Sequence, residues 1–225
     1  MEQKRVCYIV GAGEFDSERF LPRKEDCVIA ADAGLVYLQE VGCIPDLIVG
    51  DFDSLGYCPK GSNIIRHPIE KDDTDMNLAV KIAMEKGYSD LYLFGATGGR
   101  LDHTLANLQM IAGVCKKGVR IFCFCPDCTI AALTDGSLTF NKDYWGIVSV
   151  LAAGEAAKYV SLEGLKYTLH NADLSAYYPL GVSNEFTGKV ACISVESGVL
   201  WILWQGNRSL PLPTYDEENV NERKV

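Results

Sequence analysis

A chain of 225 residues in which 48% are hydrophobic has ample apolar material for one large domain or two small ones, which excludes a disordered chain. A formal net charge of −9, with no Lys/Arg cluster interleaved with aromatics, argues against nucleic acid as a partner. No apolar stretch approaches the roughly 20 residues that span a bilayer, and MEQKRVCYIVGAG enters a strand without a signal-peptide cleavage region, so the expected location is the cytoplasm and no membrane partner is expected.

In chain order, the first half alternates apolar β-rich runs with helical patterns, the signature of a parallel sheet covered by helices. The candidate strands are VCYIV (6–10), CVIAA (27–31), LIVG (47–50), NIIRH (63–67), LYLFG (91–95) and VRIFCF (119–124). Such continuous apolar runs suit strands buried on both faces. DMNLAVKIAMEKG (75–87) places Met76, Ala79, Val80 and Ala83 on one face of a helix. TLANLQMIAGVCKKG (104–118) does the same with Leu105, Leu108, Ile111 or Ala112, and Cys115. Both end at or near a glycine C-cap.

From about residue 130 the pattern becomes short segments, SLTF, GIVSVLAA, KYVSLEGLKYTL, GKVACISVE and GVLWILWQ, separated by Gly, Asn and Asp. No helical period appears among them, which describes an antiparallel sandwich or barrel. The predicted fold class is therefore α/β: an N-terminal open, mostly parallel sheet with helices on both faces, followed by a C-terminal antiparallel β-sandwich. The boundary is expected within 126–136, giving domains 1–130 and 131–225. The tail after Gln205 is polar, proline-bearing and expected to be mobile. Cys7, Cys27, Cys123, Cys125 and Cys192, five of an odd nine cysteines, lie in apolar runs where a reduced thiol packs as a small hydrophobe. Cys125 and Cys128 form a C-x-x-C with no second pair at zinc spacing.

Ligands of open parallel sheets bind outside the carboxyl ends of the strands. There the sequence reads GAGEFD after the first run, Asp32 in ADAG after the second, Asp51 and Asp53 in GDFDS after the third, and ATGGRLDH after the fifth. PIEKDDTD, with Asp72, Asp73 and Asp75, follows the fourth and opens a helix. If the run IVGDFDSL is a strand, Asp51 and Asp53 point the same way while Phe52 turns inward. Paired like charges are costly without a cation between them. Magnesium takes one or two carboxylates and completes its shell with phosphate oxygens and water. Gly98 and Gly99 expose backbone N–H groups and Arg100 completes an anion site. Local roles compete at several positions. Gly11 and Gly13 also suit an ordinary turn, Asp32 a turn, and Thr74 or Asp75 a helix cap, where function and capping can coincide. Trp201 and Trp204 also suit a sandwich core.

GDFDS (50–54), KDDTD (71–75) before a helix and GGRLDH (98–103), together with ADAG, resemble thiamin pyrophosphokinase in order and spacing, in its bacterial form. The likeness resumes at GVSNEF (181–186) and GVLWILW (198–204). The resemblance implies transfer of diphosphate from ATP to the hydroxyethyl group of thiamin, giving thiamin diphosphate and AMP. It also implies a homodimer in which the α/β domain holds the nucleotide and the β-sandwich of the other subunit helps hold thiamin. Carried over by position, Asp51, Asp53 and Asp75 would bind Mg2+, and Asp102 would stand near the reacting groups. Asp32 would sit by the nucleotide, with Thr97, Gly98, Gly99 and Arg100 on its phosphates. Thr74 and Lys71 would also belong to the nucleotide side; some family members carry glutamine at the Lys71 position. Ser183 and Asn184 would hydrogen-bond thiamin, and Trp201 would stack on it. Asp102 could accept or orient the hydroxyl proton, and positioning and electrostatics would do most of the remaining work. A rival is a haloacid-dehalogenase-like phosphatase with Asp51 as nucleophile, although that signature normally closes the first strand of its fold. Another is a non-catalytic nucleotide-binding sensor.

Overall fold

A computed structural model describes residues 5–52, 57, 61, 63–66, 73–206 and 208–216. The chain forms two compact units, one of Met1–Met110 with Ile121–Pro126 and one of Ile111–Arg120 with Asp127–Val225.

The first unit carries β1 (Cys7–Val10), β2 (Cys27–Ala31), α1 (Gly34–Glu40), β3 (Leu47–Gly50), β4 (Ile64–Arg66), α2 (Asp75–Glu85), β5 (Asp90–Phe94), most of α3 (Leu101–Cys115) and β6 (Arg120–Phe124). Its strands run in the order β6-β5-β1-β2-β3-β4, with β1 parallel to β2 and β5, and β3 parallel to β2 and β4. Ile9, Ile29, Leu91 and Leu93 are fully buried, as strands covered on both faces require. Phe94 stacks on Phe124 with ring centroids 4.7 Å apart and meets Phe20 edge-on at 5.4 Å. The long connection from β1 to β2 has little regular structure and is tied down by charge. Asp26 accepts from the Val6 and Arg23 N–H groups at 3.0 and 2.9 Å and takes the Arg23 guanidinium at 2.7 Å. Arg19 binds Asp16 at 2.6 Å and lies over the Phe124 ring.

The second unit holds β7 (Cys128–Leu133), β8 (Gly136–Phe140), β9 (Ile147–Ala152), β10 (Ala156–Glu163), β11 (Leu169–Ser175), β12 (Gly181–Glu185), β13 (Ala191–Val195), β14 (Leu200–Gln205) and β15 (Thr214–Asp216). They form antiparallel arrays ordered β12-β9-β14-β7 and β11-β10-β13-β8-β15. Phe140 of β8 meets Trp204 of β14 edge-on at 5.2 Å, and Tyr144 and Phe186 complete this aromatic core. The α/β class and the antiparallel second half are as the sequence predicts.

Several elements depart from the expectation. Helix α1 has no recognisable signal, being seven residues long with no side-chain cap. Residues 128–133 form a strand, β7, that the sequence did not single out, buried from Thr129 onward. Strands β11 and β12 terminate their sheets, so HNADL and GVSNE are polar and lack a strand-like run. The tail contributes β15, paired with β8, and Tyr215 and Tyr144 donate their hydroxyls to the carbonyls of Ala132 and Pro211 at 3.0 and 2.7 Å. Leu105 is 53% exposed instead of buried, because α3 turns the face of Asn107, Ile111 and Cys115, spaced four apart, inward. No helix among the described residues is long and apolar enough to cross a membrane.

Candidate active site

The carboxyl ends of the parallel strands of the first unit open on a cavity of about 660 Å³, within the ~300–1,000 Å³ typical of small-molecule sites. Its back wall is made by two loops pressed together, those that follow β1 and β5. Gly11, Gly13 and Glu14 donate their N–H groups to the carbonyls of Phe94, Gly95 and Thr97, each at 2.8 Å. A Cβ on Gly13 would lie 2.2 Å from the Thr97 oxygen, so only glycine permits this approach. The G-A-G that could have been an ordinary turn thus joins two strand ends and lines the cavity.

Asp32 follows β2, Asp51 follows β3, and Asp75 opens α2. One carboxylate oxygen from each lies within 4.8 Å of the other two. Asp32 is 9% exposed and left-handed, with φ 48°, and donates its N–H to the Val49 carbonyl at 2.8 Å. This is a turn, and the turn aims the acid at the cluster. Thr74 caps α2, its hydroxyl accepting from the Asn77 N–H at 3.2 Å, and it also lines the cavity. Asp73 is held by Asn77 and Lys81 at 2.6 and 2.5 Å.

The strand argument for Asp51 and Asp53 needs correction. Strand β3 ends at Gly50, and Phe52 is left-handed with φ 65°. Phe52 does turn inward, at 4% exposure, but by leaving strand geometry instead of alternating along it. Asp53 and Lys71 lie outside the described residues. Asp51 stands after the third strand of its sheet, with β1 and β2 before it in the chain.

Gly98 and Gly99 adopt φ of 82° and 65°, and with Arg100 they line the cavity; Thr97 lies in the same loop. Arg100 and Asp102 face one another, the guanidinium donating to the carboxylate at 2.6 Å. The hydrogen bond from Arg100 holds the Asp102 carboxyl below its usual range, while that bond raises the guanidinium. Both side chains are well exposed. His103 and Asn107 of α3 also line the cavity, although sequence reasoning gave them no role. The Arg100, His103 and Asn107 spacing could have revealed one helical face had the helix been started at Leu101.

In the second unit, Trp204 is 2% exposed while Trp201, of opposite parity on β14, is half-buried. Trp201 pairs with Leu151, and Leu203 with Ser149, on that half-buried face. Ser183 sits in a register shift of β12 with φ 59° and is exposed, its N–H donating to Ser149 Oγ at 3.1 Å. Asn184 is 3% exposed. Its Oδ1 accepts from the Tyr167 and Glu185 N–H groups, each at 2.9 Å, and its Nδ2 donates to the Tyr167 carbonyl at 2.6 Å. The Cys125 sulfur lies 3.9 Å from that of Cys123.

Known proteins resemble this chain in sequence and fold. A family model described as the thiamin pyrophosphokinase catalytic domain matches residues 20–123, and one for the vitamin B1 binding domain of the same enzyme matches 137–200. The thiamine pyrophosphokinase of Bacillus subtilis is 31% identical over 179 residues, 76% of this chain and 84% of that protein. A crystal structure of the Bacillus subtilis protein superposes with a TM-score of 0.79 at 26% identity, covering 90% of this chain and all of that one. The Geobacillus thermodenitrificans thiamin pyrophosphokinase gives a TM-score of 0.75 at 28% identity, covering 92% and 100%. With two family models spanning both units and a fold shared over nine-tenths of its length, the chain belongs to the thiamin pyrophosphokinase family.

Proposed function

We propose that the chain is a thiamin diphosphokinase that moves the diphosphate of ATP onto the hydroxyethyl group of thiamin and releases AMP, with the cavity of the first unit as its nucleotide site. The observation that carries this reading is the meeting of Asp32, Asp51 and Asp75, with oxygens within 4.8 Å of one another, in a cavity that also holds a glycine-arginine loop. A purely carboxylate donor set suits a hard divalent cation such as Mg2+. Asp32, Asp51 and Asp75 would hold it, with Asp53 as the further aspartate of the same segment. When bound, the ion would neutralise the polyphosphate's charge and favour attack on its β-phosphorus.

The chain's own groups supply the rest. The left-handed glycines at 98 and 99 let backbone approach phosphate oxygens closely. Thr97, Arg100 and Lys71 are assigned to the phosphates, and Thr74 holds the start of α2 in place. Asp102 is a weak candidate base, since a carboxylate pressed below its usual range by Arg100 has little affinity for a proton. Its proposed work is to aim Arg100.

Thiamin is assigned to the second unit of a partner copy in a homodimer. Trp201, on the half-buried face, can stack on a flat or cationic ring, and Ser183 offers an exposed hydroxyl. Asn184, with its amide committed to Tyr167, serves by shaping the strand beside Ser183. Tyr177 and Tyr178, 86% and 69% exposed, with Leu180 and Val182 next to Ser183, supply apolar surface suited to a partner.

The test is to incubate the protein with ATP, Mg2+ and thiamin and to follow both products. AMP and thiamin diphosphate should appear in equal amounts. ADP with thiamin monophosphate, free inorganic phosphate alone, or binding without turnover would each defeat the reading.

A further inference from the structure

We propose that His103 is the side chain through which α3 meets the nucleotide's phosphates, with Asn107 as its positioning residue. The inference rests on the reading of the cavity as the ATP site. Residues four apart on a helix lie about 40° apart around its axis, whereas residues five apart lie about 140° apart. Asn107 is 7% exposed, lines the cavity, and donates from Nδ2 to the Ala96 carbonyl at 2.7 Å. That bond fixes the roll of α3 against the loop after β5. His103, four residues earlier, therefore falls on the cavity side and lines it, as does Arg100. Asp102, five residues earlier, is exposed like His103 but is not among the residues that line the cavity.

The chemistry of the two side chains points the same way. A carboxylate only accepts hydrogen bonds and repels phosphate oxygens, whereas imidazole offers an N–H donor in either protonation state. The cavity already holds Asp32, Asp51, Asp73 and Asp75. Arg100 is partly committed to Asp102. An anion bound there needs another donor, and His103 is placed on the lining to be one.

The experiment measures thiamin diphosphate formation by the full-length chain and reads the KM for ATP and for thiamin separately. His103→Ala should raise the KM for ATP about tenfold, the scale of a lost hydrogen bond to a charged group, with the KM for thiamin within about twofold of wild type. His103→Gln, which keeps an N–H donor, should recover part of that loss. Asn107→Ala should raise the KM for ATP similarly, and the double variant should add little more, since the second residue acts through the first. An ATP KM within twofold of wild type in His103→Ala, both KM values rising together with a lowered melting temperature, or fully additive effects in the double variant would each overturn the assignment. If the wild-type chain makes neither AMP nor thiamin diphosphate, the ATP reading falls and this inference with it. An active wild type with an indifferent His103→Ala overturns the inference alone.

Discussion

The two units carry their functional residues on different kinds of backbone. In the first, Asp32, Asp51 and Gly98 stand where strands have ended, and their φ angles or turns belong to no regular ladder. In the second, Ser183, Asn184 and Trp201 are themselves strand residues, and pairing decides which face each one occupies. A loop residue can be changed in its chemistry with little effect on packing, whereas a strand residue is tied to its neighbours. At its acidic side chains the first unit should therefore separate activity from stability, and the second should mix them.

The sharpest test of that separation is Asp51→Asn. Turnover should fall by at least about 100-fold, the scale on which metal-borne charge stabilisation acts. The melting temperature should hold or rise slightly, because one of three mutually repelling carboxylates is gone. Steady-state kinetics and a thermal melt on the same sample check both halves. A variant keeping more than a tenth of wild-type turnover would break the metal assignment.

The tryptophans test the second unit. Trp204→Ala should cost about 3–5 kcal/mol, as large-to-small changes at buried aromatics do, because the indole is 2% exposed against Phe140. Trp201→Ala, on the half-buried face, should cost about 1–2 kcal/mol and also raise the KM for thiamin. Denaturant melts and thiamin titrations separate the two, and equal stability losses with unchanged thiamin binding would remove Trp201 from the site.

Gly13→Ala probes the seam between the loops after β1 and β5. Its Cβ would sit 2.2 Å from one carbonyl oxygen and 2.7 Å from another, both backbone atoms that cannot swing aside. The loops must part, at about 1–3 kcal/mol, and turnover should fall with them. A melting temperature equal to wild type would show that the seam opens freely.

How much of this was legible in the sequence follows the same division. The burial of Met76, Ala79, Val80 and Ala83 on α2 could be read from spacing, since a helix of eleven residues shows its period. The convergence of acids on the strand ends was legible because a parallel sheet puts its loops on one rim. Asp32 was assigned to the nucleotide, but that its oxygen meets those of Asp51 and Asp75 depends on a left-handed turn that sequence does not display. The His103 and Asn107 face went unread because GGRLDH looked like loop to its end, which starts α3 three residues late and leaves His103 off the helix. Strands β11 and β12 were missed because a sheet edge buries one side at most and so lacks an apolar run. Asn184 reads as a ligand from its motif, and only the fold reveals its amide spent on Tyr167.

The smallest expected effect on turnover concerns the segment between β1 and β2. Burial alone would raise the Asp26 carboxyl, but the Arg23 guanidinium and the N–H groups of Val6 and Arg23 outweigh it, and the net shift is downward. A carboxyl lowered on folding stabilises the native state above its unfolded value of about 3.9 and loses that contribution as pH falls through the folded value. Urea midpoints followed from pH 7 downward should therefore drop below about pH 5. Asp26→Asn should be less stable at pH 7 by about 1.5–3 kcal/mol, the range for hydrogen bonds to a charged group, and its curve should fall less steeply in acid. Asp26 is not among the residues that line the cavity, so turnover per folded molecule at pH 7 should stay close to wild type. A change in turnover larger than the change in folded fraction would mean that the Asp26 end of the β1–β2 connection acts on the site, and the separation of chemistry from packing in that unit would fail.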